Sequence, residues 1–297
     1  MSALPVRLIP DLLRYAGLAI MPLFAVNTSG AEQAGPLPAI EYVDVAEQVG
    51  IDFRHVNGAS GRRYFPETMG AGVCFVDFDG DQDLDLYFVN GAAFPGYEGP
   101  PDPVNALFRN DAGWFVEVAR EAGVADPGHG MGCAFADVDN DGDADLYLTN
   151  YSANAMYRNE GDGGYRDVTT QAAVGDTAWS AGSTFLDYDN DGDLDLYVAN
   201  YVHYGLADAE KELEAYLSSS QRDRPESIEA YPHPRNFAGA EDHLFRNAGN
   251  GRFNVVNRAA GLADTSRAAG RGLGVVATDY DNDGWSDLYV ANDAVPN

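Results

Sequence analysis

The chain has 297 residues, 47 acidic against 18 basic, and a formal net charge of −29. No basic cluster offsets that charge, which excludes a nucleic-acid-binding face and makes an anionic membrane surface a poor partner. Lys211 is the single lysine, so lysine-based covalent chemistry has almost no candidate.

The N-terminus carries Arg7 and Arg14, an apolar run over 15–26, and small residues at Ser29 and Ala31. That order has the shape of a secretory signal over 1–31, followed by a linker over 32–40 and a repeat region over 41–297. The apolar run is too short to span a bilayer; the alternative is a short anchor that stays uncleaved. Export predicts a secreted, periplasmic or cell-surface protein with no membrane insertion after cleavage.

The repeat region opens with Tyr42-Val-Asp-Val-Ala-Glu-Gln-Val-Gly-Ile51. Related aromatic, Val-rich segments ending in an Ala/Gly turn recur at 115–124, 165–174 and 253–262. Before each come Leu107-Phe-Arg-Asn110, Met156-Tyr-Arg-Asn159 and Leu244-Phe-Arg-Asn247. A further element reads Gly70-Ala-Gly72, Gly130-Met-Gly132, Ser180-Ala-Gly182 and Gly272-Leu-Gly274. It leads into a strand rather than a helix, so it is no nucleotide fingerprint; glycine there predicts close approach of neighbouring backbones.

Each such element runs into an acidic loop. The four copies place Asp77, Asp79, Asp81, Asp83 and Asp85; Asp137, Asp139, Asp141, Asp143 and Asp145; Asp187, Asp189, Asp191, Asp193 and Asp195; and Asp279, Asp281, Asp283, Trp285 and Asp287 at loop positions 1, 3, 5, 7 and 9. Together they hold 19 of the 47 acidic residues, so they set the charge of the chain. Alternate carboxylates at positions 1, 3 and 5, closed by position 9, predict a calcium cage, with position 7 offering its backbone carbonyl. Trp285 at position 7 fits a carbonyl ligand and not a side-chain one. Position 6 is Gly142, Gly192 and Gly284, as a left-handed turn prefers; Gln82 breaks this in the first copy and predicts a weaker site. Zinc would need His or Cys. An EF-hand would need Glu at position 12, where Phe88, Leu148, Val198 and Val290 stand in strand-like runs. Up to four structural Ca2+ ions are expected.

The loops are spaced by 60, 50 and 92 residues. A unit of about 50 residues with four short strands is a propeller blade, so the fold class expected is all-β. The long interval holds an insertion over about 201–241, with a short helix over 207–217. Cys74 and Cys133 precede the first two loops with a one-position offset. That offset places them on opposite faces of their strands, which favours two buried thiols over a disulfide.

The repeat resembles the FG-GAP/VCBS type of calcium-binding β-propeller. Tyr64-Phe-Pro-Glu-Thr-Met-Gly70, the Leu-Phe-Arg-Asn elements and Asp287-Leu-Tyr-Val-Ala-Asn-Asp293 make it similar to the cartilage acidic protein-like group, whose bacterial members often carry an ASPIC/UnbV domain. The resemblance implies a seven-bladed ring. Four loop copies therefore predict an incomplete propeller of about four blades; a small four-bladed ring closed by its ends is the alternative. It also implies interaction at the cell surface or matrix. The leading expectation is therefore a non-enzymatic module binding protein or carbohydrate, with the exposed-loop aromatics Phe94, Tyr97, Tyr204, Tyr216 and Tyr231 as candidate contacts. The rival is a calcium-dependent lyase or dehydratase on polysaccharide, for which His203, His233 and Glu67 are the available groups. His55, His129 and His243 complete the histidines, with no ligand or triad spacing. A third reading makes the chain a scaffold for a C-terminal domain.

Overall fold

Each acidic loop is a tight reversal between two strands rich in branched and aromatic residues, and the unit around it folds as one antiparallel sheet. The computed structural model describes residues 41–208, 211, 231–249, 251–262 and 270–295. The first sheet runs β1 (Val73–Val76), β2 (Asp85–Phe88), β3 (Ala106–Asp111) and β4 (Trp114–Glu117) in chain order. The second runs β5 (His129–Ala136), β6 (Asp145–Tyr151), β7 (Ala155–Asn159) and β8 (Tyr165–Asp167). The third runs β9 (Ser180–Leu186), β10 (Asp195–Asn200), β11 (His243–Asn247) and β12 (Phe253–Val255), and β13 (Gly272–Thr278) pairs with β14 (Asp287–Asn292). Among the described residues the expected four-stranded unit is present three times, with a two-stranded fourth sheet. The expected signal and linker lie outside the described residues, as does most of the expected helix over 207–217; residues 206–208 and 211 are helical.

Strand β1 lies beside β5, β5 beside β9, and β9 beside β13. The sheets therefore fan out side by side in a propeller-like manner, first strands innermost. Among the described residues no strand pairing joins β13 to β1. Close approach explains the glycines. A Cβ on Gly72 would sit 3.0 Å from the Cα of Gly132, and one on Gly182 would sit 2.8 Å from the Leu273 carbonyl. The register slips at Gly130/Gly132 and Gly272/Gly274, and opposite Ala199/Asn200. Such bulges re-aim a side chain. Here Met131, Ala181 and Leu273 join an aromatic cluster at the ends of the strands away from the acidic loops. At its heart is Phe65, whose ring meets Trp179, Tyr201, Tyr204 and Phe237.

Between sheets the alternation of each second strand is used on both faces. Leu146 and Leu148 join the core shared with the first sheet, while Tyr147 joins the core shared with the third. All three are fully buried, each worth roughly 1.5–3 kcal/mol on apolar area.

Cys74 and Cys133 form a disulfide, with Cα atoms 6.2 Å apart. This corrects the expectation of two thiols. The one-position offset does put them on opposite faces of equivalent strands. Side-by-side sheets, however, bring the leading face of one against the trailing face of the next, so residues on opposite faces meet.

A polar clasp holds the third sheet to the segment entering it. His243 on β11 lies 2.6 Å from Asp176, which also accepts from Asn200 and the Ala178 amide. Its hydrogen bond to Asp176 raises the His243 pKa above the ordinary value of 6.5, against burial. Burial pushes the Asp176 carboxyl up, but the bonds from His243, Ala178 and Asn200 outweigh it and hold it below the usual carboxylate range.

Two outcomes are expected. Cys133→Ser, or reduction, should lower unfolding stability by about 2–4 kcal/mol in urea titrations, with no free thiol titratable in the oxidised native chain. The clasp's contribution is full below pH 6.5 on the His243 side and is lost as pH rises through its raised folded value; on the acid side it is lost as pH falls through the depressed Asp176 value. His243→Gln should flatten the alkaline part of that profile.

Candidate metal centre

The acidic loops share one hydrogen-bonding plan. The position 9 carboxylates Asp85, Asp145 and Asp195 are fully buried at the start of β2, β6 and β10. One oxygen of each position 9 Asp accepts the position 2 amide: Phe78 at 3.0 Å, Val138 at 3.1 Å, Tyr188 at 3.0 Å and, for Asp287, Tyr280 at 3.0 Å. In the first three sheets the other oxygen accepts the amide of the Asn that ends the Leu/Met-aromatic-Arg-Asn element: Asn110 at 2.8 Å, Asn159 at 2.9 Å and Asn247 at 2.8 Å. Position 1 accepts the position 6 amide in all four loops, at 3.0 Å from Gln82, 2.9 Å from Gly142, 3.0 Å from Gly192 and 3.0 Å from Gly284.

This plan brings positions 1, 3 and 9 together. Carboxylate oxygens of Asp77, Asp79 and Asp85 lie within 4.8 Å of one another, as do those of Asp137, Asp139 and Asp145, of Asp187, Asp189 and Asp195, and of Asp279, Asp281 and Asp287. Position 5 lies outside each group. Asp81, Asp141, Asp191 and Asp283 are exposed, and one oxygen of each accepts the position 7 amide, at 2.8, 3.1, 3.0 and 2.9 Å. The position 7 side chains of Asp83, Asp143 and Asp193 are half-buried and that of Trp285 is exposed.

The donor set fits a hard divalent cation. It is all oxygen, and Asp77 Oδ1, Asp139 Oδ1 and Asp189 Oδ1 are buried without a hydrogen-bond partner. A buried anionic oxygen without a donor is costly, and a cation supplies the missing partner. The carboxylates also register the need. Burial, opposed by the two backbone bonds and helped by neighbouring carboxylates, raises Asp145 to about 7 and Asp195 to about 6. Asp85 is raised for the same leading reason.

Arginine handles the three complete sheets differently. Arg246 contacts Asp189 at 2.7 Å and Asp191 at 3.0 Å, Arg158 lies 3.8 Å from Asp139 and 2.9 Å from Glu160, and Arg109 turns to Asp111 at 2.8 Å. Sequence reasoning saw these elements as repeat markers only. The Asn beside each Arg, whose amide seats on the position 9 carboxylate, was also without a role. The signal available was its fixed place after the aromatic-Arg pair.

Other candidates are dispersed. Phe94 and Tyr204 are buried in the aromatic cluster, which corrects their assignment as exposed contacts: they pack against Tyr64 and Phe65. Tyr97 is half-buried, Tyr231 is exposed, and Tyr216 lies outside the described residues. Glu67 is buried and accepts from the Tyr231 hydroxyl at 3.1 Å and the Ser60 amide at 3.3 Å. His203 and His233 are exposed, and the Nδ1 of His233 accepts the Arg235 amide. His129 is buried against Phe94, and burial lowers its pKa.

The FG-GAP-like repeat family model matches residues 77–148 and 137–198, each match running from one acidic loop through the strand after the next. No curated protein matches the chain significantly.

The first loop carries its own test. Gln82 occupies position 6 with φ of 74°, where the other copies have glycine. Gln82→Gly should stabilise the chain by about 1 kcal/mol, measured by urea unfolding.

Proposed function

We propose that the chain is an exported calcium-binding β-propeller module that recognises a protein or carbohydrate partner, with its ions structural. The observation that carries this is the fourfold recurrence of position 1, 3 and 9 carboxylates gathered within 4.8 Å. Asp77, Asp79 and Asp85, and their equivalents in each loop, would hold the ion, with positions 5 and 7 completing the shell on binding. The ion would supply the positive charge that lets buried carboxylates stay ionised. The disulfide supports an oxidising compartment, where calcium is also abundant. Among the described residues no helix is long and apolar enough to cross a membrane.

The loops at the strand ends away from the acidic sites are the natural recognition surface, because loops there vary in length while the calcium ends repeat. Among the described residues, half-buried Tyr97 and exposed Tyr231 are the candidate aromatic contacts that remain available. The polysaccharide lyase reading stands second. In its favour, Glu67 and Tyr231 meet at 3.1 Å; against it, Glu67 is buried and already holds Ser60.

Thermal unfolding with saturating calcium and with chelator tests the main reading. Occupancy at about 100 times the dissociation constant should add roughly 2.7 kcal/mol per site. A melting temperature indifferent to calcium would overturn it. For the second reading, Tyr231→Phe should abolish release of unsaturated sugars from acidic polysaccharide without changing the calcium response; no release by the parent chain removes that reading.

A further inference from the structure

Asn159 does more than end its strand. It is buried, and its polar groups reach in three directions: its amide donates to Asp145 Oδ1, its Oδ1 accepts from Gly161, and its Nδ2 donates to the Phe78 carbonyl at 2.9 Å. Phe78 belongs to the preceding loop, where its own amide donates to Asp85 Oδ2 at 3.0 Å. Two buried carboxylates of consecutive acidic groups are thus joined through one backbone residue and one side chain. The arrangement repeats. The Val138 amide donates to Asp145 Oδ2 at 3.1 Å, Asn247 Nδ2 donates to the Val138 carbonyl at 2.8 Å, and the Asn247 amide donates to Asp195 Oδ1 at 2.8 Å. Asp145 therefore has one oxygen on each half of a relay running from the first loop to the third. Phe78, Val138 and both asparagines are buried, so water does not compete along the path.

We infer that Asn159 and Asn247 are positioning residues that couple neighbouring calcium sites, so that an ion in one loop raises the affinity of the next. The inference rests on the calcium reading above. An ion held by Asp77, Asp79 and Asp85 fixes the first loop and with it the Phe78 carbonyl. That carbonyl fixes Asn159, and the Asn159 amide orients Asp145 before the second ion arrives. The second site then pays less ordering entropy, and linkage makes the effect mutual. Repulsion between ions acts in the opposite sense. Salt screens it beyond about 8 Å at physiological ionic strength, which is where the titration is run. Among the described residues the relay does not extend to Asp287; the fourth loop meets the third through Asn190 Nδ2, which donates to the Gly284 carbonyl at 3.3 Å, so it is the loop most remote from the first and serves as the reference on that ground.

The position 6 glycine amides of Gly142, Gly192 and Gly284 each donate to a position 1 carboxylate, so their nitrogen-proton resonances report loops two, three and four separately. Calcium titration of the full, isotopically labelled chain reads them together. Asp79→Asn, which cripples only the first loop, should raise the Gly142 midpoint by about fivefold or more and leave Gly284 unmoved. In an Asn159→Ser background the same Asp79→Asn change should no longer move Gly142. Asn159→Asp, which keeps the acceptor for Gly161 and removes the donor to Phe78, serves if the smaller side chain does not fold. A Gly142 midpoint that stays put or falls on Asp79→Asn overturns the coupling while leaving calcium binding intact. Parallel movement of Gly284 also overturns it, as a general loosening. No calcium response at any of the three glycines overturns the calcium reading itself.

Discussion

The buried carboxylate that closes each acidic loop is the constraint on which the rest depends. Asp85, Asp145 and Asp195 sit at the first residue of a central strand, with one oxygen on the loop and the other on the strand across the sheet. A single side chain thereby fixes the loop, the register of β2 with β3 and its equivalents, and one corner of a candidate cation site. Charge buried this deeply is tolerable only with donors and a counter-ion. The backbone amides supply the first, and the clustered carboxylates around it could hold the second. The same residue thus serves the stability of the sheet and the candidate cation site.

The two ends of the fan follow different logics. At the acidic end the repeats are nearly interchangeable, because each loop must present the same oxygens. At the other end symmetry is abandoned: Phe65 from the first repeat, Trp179 from the second and Tyr201, Tyr204 and Phe237 from the third and its insertion meet in one aromatic hub. Bulged residues from three successive inner strands are aimed into it. Nearest-neighbour contacts alone would let repeat arrays fray sheet by sheet. The hub and the disulfide tie non-adjacent parts of the sequence and give the array a common anchor.

The period, the strand pairs and the gathering of the carboxylates at positions 1, 3 and 9 were legible in the sequence because each recurs at a fixed offset and each has a local cause. What was not legible depended on neighbours in space. Position 5 looks equivalent to positions 1 and 3 by alternation, yet its carboxylate is drawn to the amide two residues on. Phe94 and Tyr204 lie in Gly-rich or inserted segments that read as exposed loop, and only the hub explains their burial. The cysteines were read with the right geometry on the wrong assumption: opposite faces separate residues within one sheet and unite them between two. Asn159 and Asn247 look like strand-ending polar residues until the preceding sheet is placed beside them.

The disulfide also changes what a single cut in the backbone can do. Its ring runs from Cys74 to Cys133 and encloses the Gly- and Pro-rich excursion over 91–104. Exposed tips of that kind are where proteases nick folded chains. A chain opened there stays covalently whole, its two pieces held across the first two sheets, and separates only in a reductant. Damage at the end of the molecule away from the acidic loops is in this way uncoupled from loss of the first acidic loop, and an oxidising surrounding preserves an assembly that its peptide backbone no longer does.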